Sequence, residues 1–469
     1  MSNLNKVTDF TGTMDDLFGY KSLPTPLTRR QINIAQSPKK NGSANTDSIP
    51  YLKELGVAIV DSPQEIQFNT NSKELVHRWS PYVQGFSSSF VQGIFQRYGS
   101  EYANPVVLDP FSGSGTVIVQ SKINGFQSHG IELNPLLHFT GDAKVNTWNA
   151  DPDKLMHIIK GLSKTKHFSP PEFLKSSRHF KSSVLKKLER LKGSIDSFEA
   201  SNSSETSIKK LLLLAFSSII IECSNLKRSP CLGYCKSKNV DENTPEILFR
   251  KKISEIVEDL TAIREIYSDK INTPGIIFHA NSLHHEYDKM YDLVITSPPY
   301  MNGLDYVMNY KIEMGWLGFA DSHAQLKKVK DEMVVCDNVS KGLVRDFSFQ
   351  KTRYTSDWIE DIKKHISINI EIRGNYRRKD MPEIVHKYFD DMYRIMKKVV
   401  ERIKPEGRFI LVVGDSLIAD TYVPTDLIIA QIGKYLGMRI EGIEKARNRR
   451  SGQIRSYKLR ETVVTLKKD

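Results

Sequence analysis

Long apolar runs are what this sequence most plainly lacks. No stretch approaches the eighteen or so apolar residues that a membrane-crossing helix needs, so no span is expected. The first residues, Met1-Ser2-Asn3-Leu4-Asn5 followed by Lys6, Asp9, Asp15 and Asp16, hold no apolar signal-peptide centre. Cysteine is scarce. Four in 469 residues exclude a disulfide framework and fit a reducing cytoplasm. Cys231 and Cys235 stand four apart, but no nearby His or Cys pair completes a zinc set, and no metal is expected. A fused nuclease would need its own carboxylate-lysine site, and none is recognisable. Acid is outnumbered by base: 55 Asp and Glu against 67 Lys and Arg give a formal charge of +12 and a pI of about 9.2. That balance favours a polyanionic partner such as nucleic acid. The apolar share is a modest 39%, yet the length allows two or three domains, or one catalytic domain with large insertions.

What is present is an alternation of strand and helix signals. Residues 1–50 are rich in Ser, Asn, Thr, Lys and Pro and read as a mobile arm. Phe86-Ser87-Ser88-Ser89 offers helix-capping hydroxyls ahead of an apolar stripe, Phe90, Val91, Ile94 and Phe95. Val106-Val107-Leu108-Asp109 then reads as a strand ending in an acid, followed by the glycine-rich turn Pro110-Phe111-Ser112-Gly113-Ser114-Gly115 and a helix from about Thr116. A second strand ends at Glu132. This βαβ unit, with a carboxylate at each strand tip roughly 20 residues apart, suits a nucleoside: glycines admit backbone to the ligand, and Glu132 can accept both ribose hydroxyls. Further strands are expected at 275–278, 291–295, 408–415 and 461–466. Residues 150–270 read as mainly helical with a basic loop at 223–230, and 320–385 as charged and irregular. The pattern is that of an open α/β sheet.

The strand at Leu293-Val294-Ile295 runs into Thr296-Ser297-Pro298-Pro299-Tyr300. Two prolines stiffen the backbone and remove two N–H donors. A hydroxyl, rigid carbonyl acceptors and an aromatic ring then lie within five residues. Such a group suits a flat heterocycle bearing an amino group: the ring stacks on Tyr300, and Ser297 and the Pro298 carbonyl accept the amino hydrogens. A proline-stiffened turn with a packed tyrosine is the plain alternative, and the glycine-rich stretch upstream argues against it.

Together, the Asp-Pro-Phe-Ser-Gly-Ser-Gly-Thr and Thr-Ser-Pro-Pro-Tyr stretches make the chain resemble the DNA methyltransferases that modify exocyclic amino groups. The resemblance covers about 77–144, 275–318 and 385–469. It implies a Rossmann-like α/β fold with a mixed, mostly parallel seven-stranded sheet, a helical insert, and S-adenosylmethionine at the ends of the first strands. By that resemblance Asp109, Pro110, Phe111, Ser112, Gly113, Gly115 and Thr116 surround the cofactor, Glu132 meets its ribose, and Phe86 and Ser88 flank the pocket. Asn281 stands where the family often has an Asp for the adenine amino group, and its amide oxygen can still accept there. Ser297, Pro298, Pro299 and Tyr300 become the catalytic motif acting on a base flipped from the duplex. Serine before Pro-Pro-Tyr favours cytosine N4 over adenine N6. The implied division is an arm (1–50), a cofactor-binding part (51–150), a helical insert that is a candidate DNA-recognition region (151–270), a catalytic part (271–320), a charged insert that is a candidate DNA-contacting region (321–385) and the C-terminal part of the sheet (386–469).

Double-stranded DNA is the expected partner, with a separate restriction endonuclease possible. Lys445 to Arg460 contains no acid, so Arg447, Arg449, Arg450 and Arg455 are expected to neutralise phosphates. Lys227, Arg228, Arg377 and Arg378 in the inserts are expected to read bases. Two rival readings are an RNA amino-methyltransferase, which usually has Asp or Asn in place of Ser297, and a non-catalytic DNA-binding protein, which the intact motifs disfavour.

Overall fold

The sheet is built outward from one short apolar strand, Val106–Asp109, buried over its last three residues. The structure, a computed structural model, describes residues 43–469 except 65, 83, 84, 163, 164, 230, 302, 304, 335–338, 375, 377, 452, 453 and 455. Most of the expected arm, and Arg377 and Arg455, lie outside the described residues. In chain order the strands are β1 (Ile59–Asp61), β2 (Val106–Asp109), β3 (Gln127–Glu132), β4 (Leu226–Arg228), β5 (Leu232–Tyr234), β6 (Gly275–His279), β7 (Tyr291–Thr296), β8 (Ile403–Gly414), β9 (Ser416–Ile418), β10 (Thr421–Val423), β11 (Arg439–Arg450) and β12 (Lys458–Lys467).

Eight of them form one sheet in the order β1-β11-β12-β8-β7-β2-β3-β6. Only β12 runs against its neighbours; the remaining pairs are parallel. This is a mostly parallel, Rossmann-like sheet with one strand more than the seven expected. The extra strand is β1, which joins the edge of β11 through Ile59 opposite Ile443. Three residues are too few to show an alternation in sequence.

Period-two alternation splits the strand side chains between two cores. Val107, Leu293, Ile295, Ile410 and Val412 face one cluster. Leu108, Val294, Leu411 and Val413 face the other. The first is covered by helices Ser88–Tyr98, Thr116–Ile123 and, from the 151–270 segment, Ser182–Asp196, Ser203–Ile219 and Thr244–Ile266. The second is covered by Asp357–Arg373, Met381–Glu401 and Thr425–Tyr435. Coverage on both faces explains why every residue of β7 is buried.

Local chemistry sets the helix starts near the strand tips. The Ser87 hydroxyl accepts from the Phe90 N–H at 3.1 Å. Asn134 Oδ1 accepts from the N–H groups of Leu136 and Leu137, with Pro135 in the first turn. The stretch 320–385, expected to be irregular, instead contains helices His323–Asp331, Lys341–Ser348 and Asp357–Arg373. Trp358, Ile359, Ile362, Ile366 and Ile370 make a helical stripe that the intervening charges dilute. The basic loop expected at 223–230 is in part the hairpin strand β4, paired with β5. Among the described residues no helix is long and apolar enough to cross a membrane.

Candidate active site

From β2 the sheet grows through β3 to β6, and the chain then returns to the other side of β2 with β7. A reversal of this kind opens a crevice beyond the carboxyl ends of the two strands. The loops at those ends are joined directly. Thr296 Oγ1 donates to Asp109 Oδ1 at 2.6 Å, and the Phe111 N–H donates to the same oxygen at 3.0 Å. Both side chains are buried. Burial pushes the Asp109 carboxyl up to about 7, against the lowering effect of these two bonds.

The glycine-rich turn is held by the neighbouring strand. Gly113 N–H donates to Glu132 Oε2 at 2.8 Å and Asn134 N–H to Oε1 at 2.7 Å. Burial raises the Glu132 carboxyl to about 7, the two N–H groups opposing that shift. Gly113 and Gly115 have φ of +52° and +83°, and a Cβ on Gly113 would stand 2.6 Å from the Tyr82 hydroxyl. A side chain is therefore excluded there both by backbone and by space. The hydroxyls of Ser112 and Ser114 are buried with no hydrogen-bond partner among the described residues. The Pro110 carbonyl accepts from the Ser282 hydroxyl.

Phe86 and Ser88 are both buried, and Asn71 clamps their backbone, donating to the Phe86 carbonyl at 3.3 Å and accepting from the Ser88 N–H at 2.7 Å. Asn281 Oδ1 accepts from the Leu283 N–H at 2.9 Å, while its amide nitrogen donates to the Glu332 carbonyl at 2.7 Å. The amide thus ties the end of β6 to the 320–385 segment.

Beyond β7, the Pro299 carbonyl accepts from Tyr388 at 2.9 Å and the Tyr300 carbonyl from the Gly303 N–H at 2.9 Å, which closes a tight turn. Sequence reading missed what surrounds the Tyr300 ring. Its hydroxyl donates to Glu461 of β12. The Arg449 guanidinium of β11 lies over the ring, 4.9 Å from its centroid. A Cβ on Gly414, at the end of β8, would come within 3.0 Å of Tyr300 Cε2. Burial, with Glu461 adding to it, holds the phenol well above its ordinary value, so the ring stays neutral.

The residues expected to contact DNA divide sharply. Within the acid-free stretch, Lys445 to Arg450 lie on β11, and Arg460 lies on β12. Arg447 pairs with Glu461, and Arg450 is exposed. Arg228, expected to read a base edge, is held inside the protein. Its side chain is 10% exposed, ion-paired with Glu313 and stacked 4.4 Å from the Tyr310 ring centroid. Arg378 is likewise committed: it bonds both oxygens of Asp380, at 2.9 and 2.6 Å, and the Val339 carbonyl. Lys227 is exposed.

A doubly covered, mostly parallel sheet, with a glycine loop and a Ser-Pro-Pro-Tyr loop meeting at its switch point, is the architecture of a Rossmann-like methyltransferase. No protein-family model matches the sequence. Individual relatives do, and they are type II methyltransferases. M.BsoBI of Geobacillus stearothermophilus is 22% identical over 440 residues, covering 84% of this chain and 85% of that protein. M.MvaI of Kocuria varians is 25% identical over 414 residues, with 82% and 86% covered. M.AvaI of Anabaena variabilis is 24% identical over 464 residues, with 90% and 91% covered. These relatives are consistent with the amino-methyltransferase resemblance of the two motifs.

Proposed function

We propose that the protein transfers a methyl group from S-adenosylmethionine to the exocyclic amino group of a flipped base in double-stranded DNA, cytosine N4 in preference to adenine N6, as the modification member of a restriction-modification pair. The observation that carries this reading is the 2.6 Å bond from Thr296 to Asp109, which holds the glycine loop beside Ser297–Tyr300. The similarity to three type II methyltransferases over most of both chains supports it. The scarcity of cysteine suits work in the cytoplasm.

The residues present fit the cofactor. Two orphaned buried hydroxyls, Ser112 and Ser114, flank Gly113, whose positive φ turns the loop tightly. Each Glu132 oxygen that accepts one backbone N–H keeps a lone pair for a ribose hydroxyl. Asp109 through Gly115 and Thr116 would enclose the cofactor with Glu132, while Phe86, Ser88 and Asn281 flank it. When bound, S-adenosylmethionine supplies an electrophilic methyl group.

The chain's own task is to make a poor nucleophile act. An exocyclic amine has its lone pair delocalised into the ring. Accepting its hydrogens at the Ser297 hydroxyl and the Pro298 carbonyl localises that pair and aims it, which is orientation combined with electrostatic stabilisation. Pro298 and Pro299 hold the acceptors rigid, with the Tyr388 bond to Pro299 reinforcing them. Tyr300 provides the stacking face for the flipped base. Among the described residues expected to contact DNA, Arg450 and Lys227 are exposed and are placed to meet phosphate.

Incubation with tritiated S-adenosylmethionine and unmethylated DNA, followed by digestion and nucleoside chromatography, tests this. Labelled N4-methylcytosine is expected. Labelled N6-methyladenine would reassign the base, and label in RNA alone, or none from a folded protein, would refute DNA modification.

A further inference from the structure

We propose that Arg449 binds the flipped base itself: it rests on Tyr300 in the DNA-free protein and keeps one guanidinium N–H for an acceptor on that base. This rests on the reading of Ser297–Tyr300 as the amino-transfer site. Arg449 Nη1 is shut off from solvent and has no hydrogen-bond partner among the described residues. The guanidinium lies 4.9 Å from the Tyr300 ring centroid. Its place there depends on Gly414, where any Cβ would collide with Nη1.

The surroundings are built to hold this arrangement. Gly414 of β8 stands opposite Glu461 of β12, and Glu461 opposite Arg447 of β11. Glu461 accepts from the Tyr300 hydroxyl through Oε1 and from Arg447 through Oε2. Glu461 and Arg447 are therefore positioning residues, which set the ring through its hydroxyl. Arg449 differs from both, because one of its donors is left over.

A buried N–H without a partner is destabilising, so an acceptor arriving there is bound with gain. A planar guanidinium also stacks well on an aromatic face and directs its N–H groups in its own plane, which a lysine cannot do. Cytosine brings a ring carbonyl and adenine brings ring nitrogens, so either base can accept while its amino group faces Ser297 and Pro298. A phosphate is the other acceptor within the same chemistry. It would leave a different signature, since each phosphate contact contributes about one to the slope of log affinity against log salt.

The test compares Arg449→Ala, Arg449→Met, Arg450→Ala and Tyr300→Ala on unmethylated phage DNA with tritiated S-adenosylmethionine. Methionine keeps an apolar stem against Tyr300 and lacks the N–H, so it separates packing from donation. Both Arg449 variants are expected to lose kcat by about ten- to hundredfold, to bind S-adenosylmethionine normally by calorimetry, and to keep the wild-type salt slope. Added methylguanidinium should restore part of the turnover of Arg449→Ala. Arg450→Ala should reduce the salt slope by about one. Wild-type kcat in Arg449→Met would overturn the proposal, as would a salt slope reduced by about one with kcat intact, which would make Arg449 a phosphate contact. Wild-type turnover in Tyr300→Ala would instead remove the active-site reading, whatever the Arg449 variants do.

Discussion

Replacing Thr296 by valine removes one hydroxyl and preserves shape, so it isolates the bond that joins the two loops. Asp109 Oδ1 would keep only the Phe111 N–H at 3.0 Å. Because the Asp109 carboxyl is raised to about 7 by burial, it binds more protons folded than unfolded. Its stabilising contribution is complete at low pH and is lost as pH rises through about 7. The lost hydroxyl had favoured the ionised form, so in Thr296→Val the carboxyl titrates higher still. The cost of the substitution must therefore grow with pH. Where Asp109 is ionised, a hydrogen bond to a charged group is removed, worth about 1.5–3 kcal/mol; where it is neutral, about 0.5–1.5 kcal/mol. Urea unfolding of wild type and variant at about pH 6 and about pH 8.5 reads the difference directly. A destabilisation equal at the two pH values, or larger at the lower one, would refute the reasoning.

Two further outcomes follow from buried carboxylates. Ribose hydroxyls donate best to an ionised Glu132, whose carboxyl lies near 7, so S-adenosylmethionine should bind about tenfold more weakly at pH 6 than at pH 8; calorimetry showing constant affinity over that range would contradict the assignment. Arg228→Ala should leave Glu313 unpaired in a site that already raises its carboxyl by burial, costing about 3–5 kcal/mol of stability, and denaturant unfolding with an unchanged midpoint would show that the pair carries no weight.

Near neighbours in sequence were readable because their chemistry is local. Gly113 and Gly115 occupy backbone conformations that their residue type announces, and Ser87 and Asn134 cap the helices they precede. What escaped is what joins distant segments. Thr296 lies 187 residues from Asp109, and Glu461 lies 161 from Tyr300, and nothing in either residue names its partner. Asp357–Arg373 escaped for another reason. Its apolar stripe is spaced as a helix, but charged neighbours hide it in an average over the whole stretch.

The basic residues show how differently charges of one sign are placed. In the stretch from Arg447 to Arg450, exposure alternates: Arg447 and Arg449 are partly covered, while Asn448 and Arg450 are exposed. That is the period of a strand, which a count of charges along the stretch does not reveal. One face of β11 turns toward Glu461 and Tyr300; only the other is left for a polyanion. Arg460 is further withdrawn, sunk between Asp415 and Asp426 at 3.2 and 2.9 Å. Arg228 and Arg378 are held by Glu313 and Asp380 in the same way. A net charge of +12 still attracts a polyanion at long range, since paired charges cancel and the excess remains. Under the proposed function an arginine can meet phosphate only where no carboxylate already holds it, and among the described residues Arg450 meets none, whereas Arg228, Arg378 and Arg460 are ion-paired.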